Sequence, residues 1–169
     1  MPNWIKNNVE FGSEEVIKKC MDDENRDIDF NKIIPMPKIL EDDEGLEKLS
    51  LEERLVFLKE NDGCENWYNW RIRFWGCKWG ASETCVVDKT HVTFQTPWSM
   101  PEEIFKAISK KFNTTVVIEY ADECISDNSG RVVYENGVEI SYEPGDATFC
   151  NRVWHRYTPL QGIQEGGDM

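Results

Sequence analysis

The apolar positions of this chain change period along its length, and that change lays out its elements. From Asn3 to Phe11 the residues alternate. Ile5, Val9 and Phe11 share one face with Asn7, while Trp4, Lys6, Asn8 and Glu10 share the other, which predicts a β-strand. Gly12 breaks that strand and Ser13 offers a helix cap, after which Val16, Ile17, Cys20 and Met21 recur at helical spacing. The block Asp29–Pro37 holds Pro35 and Pro37, which forbid a regular helix or central strand there. Ser50-Leu51-Glu52-Glu53 is a capping box, and Leu51, Leu55 and Leu58 give the helix behind it an apolar stripe, ended by Asn61-Asp62-Gly63. A further helix runs to Trp75. Its apolar residues surround most of the axis, which predicts burial on more than one side.

Two strands follow, Thr84–Asp88 and His91–Thr96, with Val92, Phe94 and Thr96 alternating against His91, Thr93 and Gln95. Ser99-Met100-Pro101-Glu102 starts a helix with proline in its first turn and Ile104, Ile108 and Phe112 on its inner face. Thr115–Tyr120 is a β-branched strand. Arg131–Tyr134 and Val138–Tyr142 flank Asn136-Gly137, a strong hairpin signal. The order is therefore β-α, a helical, tryptophan-rich insertion over 22–82, then β-β-α-β and an extra hairpin over 130–143. Without the insertion this is the split pattern of an α+β, ferredoxin-like βαββαβ sandwich, with helices on one face of an antiparallel sheet. A single domain over 1–160 and a flexible, glycine-rich tail over 161–169 complete the expectation.

Composition agrees with one folded domain: 169 residues, 40% hydrophobic and 12% aromatic. No apolar run approaches the roughly 18–20 residues that cross a bilayer. The N-terminus also lacks a signal peptide's apolar stretch, so a cytoplasmic protein is expected. The six cysteines are scattered without a C-x-x-C pair. No metal site and no cofactor are expected, and Cys20 and Cys85 read as small buried hydrophobes. The chain carries −13, yet residues 66–81 hold four of the seven tryptophans and only basic charges, Arg71, Arg73 and Lys78, so the remainder sums to −16. Such an acidic balance argues against direct binding along a nucleic-acid backbone; it suits a solvated acidic shell that keeps the protein soluble, or attraction to a basic protein surface.

Met1-Pro2-Asn3-Trp4, the block from Asp29-Phe30 to Pro35-Met36-Pro37, Trp75-Gly76-Cys77-Lys78-Trp79 and Thr96-Pro97-Trp98-Ser99 occur in that order. Together they resemble the YubB-like ferredoxin-fold family of small proteins carried by phages, prophages and plasmids. The resemblance runs from Met1 to about Tyr120. The chain departs from it at Ile5, where members often have cysteine, at Cys77, where they have threonine, and at Gly80, where a larger polar residue is usual. The resemblance implies a ferredoxin-like sandwich without an iron–sulfur cluster, and origin on a mobile element. It brings no catalytic residues with it.

None of the recognised catalytic motifs appears either. The two histidines, His91 and His155, have no nucleophile neighbour in a known pattern, and there is no P-loop or metal-binding helix motif, so no catalytic residue is predicted. A second aromatic–basic segment, Asn151–Tyr157, suggests a pocket in which Arg71, Arg73, Lys78, Arg152 and Arg156 converge beside Trp75, Trp79 and Trp154. Guanidinium forks and indole faces suit a nucleotide-like ligand. The competing reading is a packed satellite core whose basic groups pair with the abundant acids. The acidic run Glu41, Asp42, Asp43, Glu44, with Trp4 and Trp98 as anchors, reads as a partner surface. Asn7, on the inward face of its strand, needs buried hydrogen-bond partners and reads as an anchor.

The leading expectation is thus a non-enzymatic mobile-element protein that inhibits a host protein or protein–nucleic-acid complex, such as a defence complex. The alternative sequesters a nucleotide in the Trp/Arg pocket. An RNA-recognition-like use of an open sheet face bearing Trp4, Lys6, Glu10 and Glu119 ranks last.

Overall fold

Strand β1 (Trp4–Glu10) is the centre of the protein, hydrogen-bonded on both sides, with Val9 lying between Val92 and Ile118. Helix α1 (Glu14–Cys20) follows, capped by Ser13, whose hydroxyl accepts from Val16 N. The insertion then contains α2 (Phe30–Ile33), α3 (Leu51–Glu60) and α4 (Trp67–Phe74), with two short 3₁₀ turns between α2 and α3. Strands β2 (Ser82–Val86) and β3 (His91–Pro97), helix α5 (Glu102–Lys111) and strand β4 (Thr115–Asp122) close the βαββαβ unit. Strands β5 (Ser129–Glu135) and β6 (Val138–Pro144) form the extra hairpin, and α6 (Ala147–His155) ends the fold. The structure, a computed structural model, describes residues 1–156. Tyr157 and the tail expected over 161–169 lie outside them.

All strand pairs are antiparallel, in the order β2-β3-β1-β4-β5-β6. Its first four strands have the order of the ferredoxin-like sandwich, and the hairpin extends the β4 edge. Asn136 and Gly137 turn the hairpin with positive φ at both positions (50° and 79°), which glycine at the second position accepts without strain. The turn is tied down by Gly137 N donating to Ser109 Oγ at 2.9 Å. Ile5, Val9, Phe94, Ile118, Val132 and Tyr134 face α1 and α5, which bury Val16, Ile17 and Cys20, and Ile104, Phe105 and Ile108. Asn7 shares that side, fully buried, and its amide donates to Thr96 Oγ1 at 3.0 Å.

Several expectations change. The sheet does not carry helices on one face alone. Capped by Asp146, which accepts from Phe149 N at 2.8 Å, α6 lies against β1 and β4 on the opposite face. There Cys150 and Val153 pack on Ala121, and Asn8 donates to Val153 O at 2.9 Å. Lys6 and Asn8 are consequently buried, so the open face that an RNA-recognition-like reading needs is covered around them. The insertion has a regular helical turn at Phe30–Ile33, completed before the first proline and capped by Asp29. The stripe of α3 is inward only at its end: Leu51 and Leu55 are 74% and 58% exposed, while Leu58, with Phe57, is half-buried against the core. Within α4 only Trp70 is buried, because Tyr68 and Ile72 point outward. Pro101 occupies the N-cap of α5 rather than its first turn, and the Ser99 hydroxyl donates to Gly76 O instead of capping the helix. Cys85 is exposed, since the edge strand β2 has nothing packed over that side chain; Cys20 is fully buried as expected.

Candidate functional site

Asn66 starts α4 by accepting from Asn69 N at 2.8 Å, and the helix runs four residues per step through Trp67, Arg71 and Trp75. That spacing places the two indoles on either side of one guanidinium: the Arg71 Cζ lies 5.0 Å from the Trp67 ring centre and 4.9 Å from that of Trp75. Trp75 is core. Its indole donates to Ile34 O at 2.8 Å and meets Phe30 edge-on at 5.5 Å, and Phe30 in turn contacts Phe94 of the sheet. Trp70 donates to Asn61 Oδ1 and stacks on Phe74 at 4.8 Å. Gly76, at φ 87°, turns the chain away while its backbone passes close to Glu102 N, where a side chain would crowd.

Arg71 opens onto a cleft of about 250 Å³ lined by Met36, Leu40, Glu41 and Trp67. It makes no ion pair or side-chain hydrogen bond among the described residues, and its Nε is buried without a partner. Burial pushes its pKa down, opposed by the nearby Glu41. The acidic run to which Glu41 belongs is exposed throughout. Asp42 pairs with Lys48 at 2.6 Å, and that hydrogen bond holds its carboxyl below the usual range.

The other predicted pocket residues lie elsewhere. Arg73 pairs with Asp62 at 2.8 Å, on the exposed side of α4. Lys78 sits over Trp79 and Tyr68, and Trp79 approaches Trp4 at 6.4 Å. Trp98 is 54% exposed at φ 66°, its amide bonded to Asn3 O, so Trp4, Trp79 and Trp98 gather at one end of the sheet. Arg152 and Arg156, one turn apart on α6, both grip Glu119 at 2.7 Å, and the Trp154 indole donates to the carbonyls of Ala121 and Asp122. The expected single pocket is therefore four separate arrangements. The reason is the position of α6, which the sheet separates from the insertion.

One convergence escaped the sequence reading. Asn8, Glu10, His91, Val117, Glu119, Arg131 and Arg156 line a polar cleft of about 240 Å³ on the α6 face. His91 Nδ1 lies 2.9 Å from Asp88 Oδ1 and its Nε2 lies 3.8 Å from Glu10. The signal was present as Phe149, Cys150, Val153 and Trp154 at helical spacing behind Asp146. That pattern marks a covering helix and brings Arg152 and Arg156 to the sheet. Among the described residues no group of three His, Cys, Asp or Glu side chains is placed to hold a metal ion, and no helix is long and apolar enough to cross a membrane.

Comparison with known proteins supports the fold. The ferredoxin-like domain in Api92-like protein matches residues 74–158, half of the chain. A crystal structure of the protein api92 from Yersinia pseudotuberculosis is similar at 17% identity and a TM-score of 0.43, over 50% of this chain and 32% of that one. The alignment thus spans about a third of that relative's length. No curated protein matches. The motifs before Phe74 that suggested a YubB-like relationship lie outside the matched residues, whereas the ferredoxin-like fold that relationship implied is shared. By this match, the chain belongs to the family of the ferredoxin-like domain in Api92-like proteins.

Proposed function

We propose that the chain is a non-enzymatic binding protein whose acidic insertion docks on a basic protein surface. The observation that carries this reading is α3: only Phe57 and Leu58 lean on the core, and it presents Leu51, Leu55 and Val56, each more than half exposed, a few residues after an exposed acidic run. Exposed apolar residues rimmed by charge suit association rather than solubility alone. Asp43, Glu44, Glu47 and Glu52 carry no ion pair among the described residues, while Arg26, Arg54 and Arg73 are already matched to acids of the same chain. The excess negative charge is therefore available to a partner. Trp79 and Trp98, both exposed, supply further anchors at the end of the sheet. The resemblance of the sequence to mobile-element proteins supports a host nucleic-acid-binding or defence complex as the target class. The nucleotide-sequestering alternative is not retained, because it required five cations at one place.

The test is capture of partners by the immobilised chain, with cross-links mapped by mass spectrometry. Cross-links concentrated in residues 41–58, and capture that falls about tenfold from low to high salt, are expected. Replacing Leu51 and Leu55 by serine should lower capture without altering the melting temperature. Cross-links confined to α6 or β6 would move the interface elsewhere and end this proposal.

A further inference from the structure

Arg71 is anomalous in a chain with so many carboxylates. A guanidinium carries five donors. Here none meets a partner among the described residues, and the Nε donor is buried, which is costly unless something fills it. The two indoles hold the group, its Cζ 5.0 and 4.9 Å from their ring centres, so much of the ordering that an arginine undergoes on binding is already made. Because the guanidinium already covers a face of each indole, a nucleotide base cannot stack there. What remains on offer is the donor edge of the fork, which matches a planar carboxylate. Glu41 at the rim, in a molecule of charge −13, selects against a dianionic phosphate. The walls, Met36, Leu40 and Trp67, are apolar, and about 250 Å³ falls below the roughly 300–1,000 Å³ of sites that enclose a whole small molecule. The cleft fits the end of something larger.

We infer that Arg71, clamped between Trp67 and Trp75, receives the C-terminal carboxylate of a basic partner whose last side chain is apolar and lies against Met36 and Leu40. This rests on the reading of the insertion as a docking surface, and it names the part of the partner that enters. Basic residues just upstream of that terminus would run along Glu41–Glu44, so the acidic loop and the clamp read one linear segment.

Two synthetic peptides of identical sequence, lysine-rich and ending in leucine, test it by fluorescence anisotropy at low salt. One carries a free C-terminal carboxylate and the other an amide. The free acid should bind about tenfold more tightly, the scale of a charge-assisted hydrogen bond. Arg71→Gln should erase that preference while leaving the amide peptide's affinity unchanged, which also reports that the variant is folded. Arg71→Lys should restore only part of it, since the fork is lost. Equal binding of both peptides to the unaltered chain would overturn the clamp and leave the docking surface standing. A preference that survives in Arg71→Gln would overturn the assignment to Arg71. If neither peptide binds, the clamp fails and the docking reading is weakened with it.

Discussion

Helices α3 and α5 are each ten residues long, and they differ in a way that contradicts their local signals. The former has a complete capping box, with Ser50 and Glu53 bonding reciprocally, yet has no fully buried residue and leans on the core only through Phe57 and Leu58. The latter has proline at its N-cap and no side-chain cap, and buries Ile104, Phe105, Ile108 and Ser109. A cap determines where a helix begins. Whether its apolar face is covered depends on what the rest of the chain brings opposite, and of these two helices it is α5 that the sheet lies under. The same contrast separates the two sides of α4. Trp70 and Trp75 reach the core through Asn61 and Ile34, whereas Tyr68 and Ile72, on the far side of the same helix, do not.

The largest effect that probes this contrast is Phe105→Ala, which opens a cavity against Phe94. It should cost about 3–5 kcal/mol in denaturant unfolding, while Leu55→Ala should stay within about 0.5 kcal/mol. Comparable losses at the two positions would mean that α3 is buried in solution. Next in size, Ser50→Ala should cost about 1 kcal/mol. That loss should appear as faster hydrogen exchange in α3, with the amides of β1 and β4 unmoved, because a helix whose first turns are exposed opens locally. A global loss of protection would instead join α3 to the cooperative core.

Smallest is an exposed carboxylate that is nonetheless held. Asp88 accepts from Thr90 N and from the His91 side chain and backbone, which brings its pKa down to about 2. A depressed acid stabilises the fold above its unfolded pKa, near 3.8, and loses that contribution as pH falls towards 2. Asp88→Asn should therefore flatten the acid limb of a stability–pH curve between about pH 4 and 2 and change its slope little above pH 5. An unchanged acid limb would show that those hydrogen bonds do not persist in solution.

Much of the architecture was legible because the strands alternate and the turns carry their own chemistry. β1, β3 and the Asn136-Gly137 hairpin stand where alternation and turn residues put them. The covering of the second face was not read, because the basic and aromatic character of Asn151–Tyr157 drew attention to ligands. Phe149, Cys150, Val153 and Trp154 are only packing residues for a sheet that must already be in place. The site was legible in part. Arg71 and Trp75 do meet, since a spacing of four is a property of the helix itself. The proximity of Arg152 and Arg156 to them depended on three-dimensional placement that no local pattern encodes, and Glu119 took both.

The central place of β1 bears on how the protein is made. Both neighbours of β1, β3 and β4, are made after it, so its hydrogen-bonding edges wait through the synthesis of some eighty residues. Nothing within the insertion pairs with it in that interval. Until His91–Pro97 and Thr115–Asp122 emerge, a nascent chain carries an unpaired Ile5–Val9 ladder, and contacts this distant in sequence form slowly.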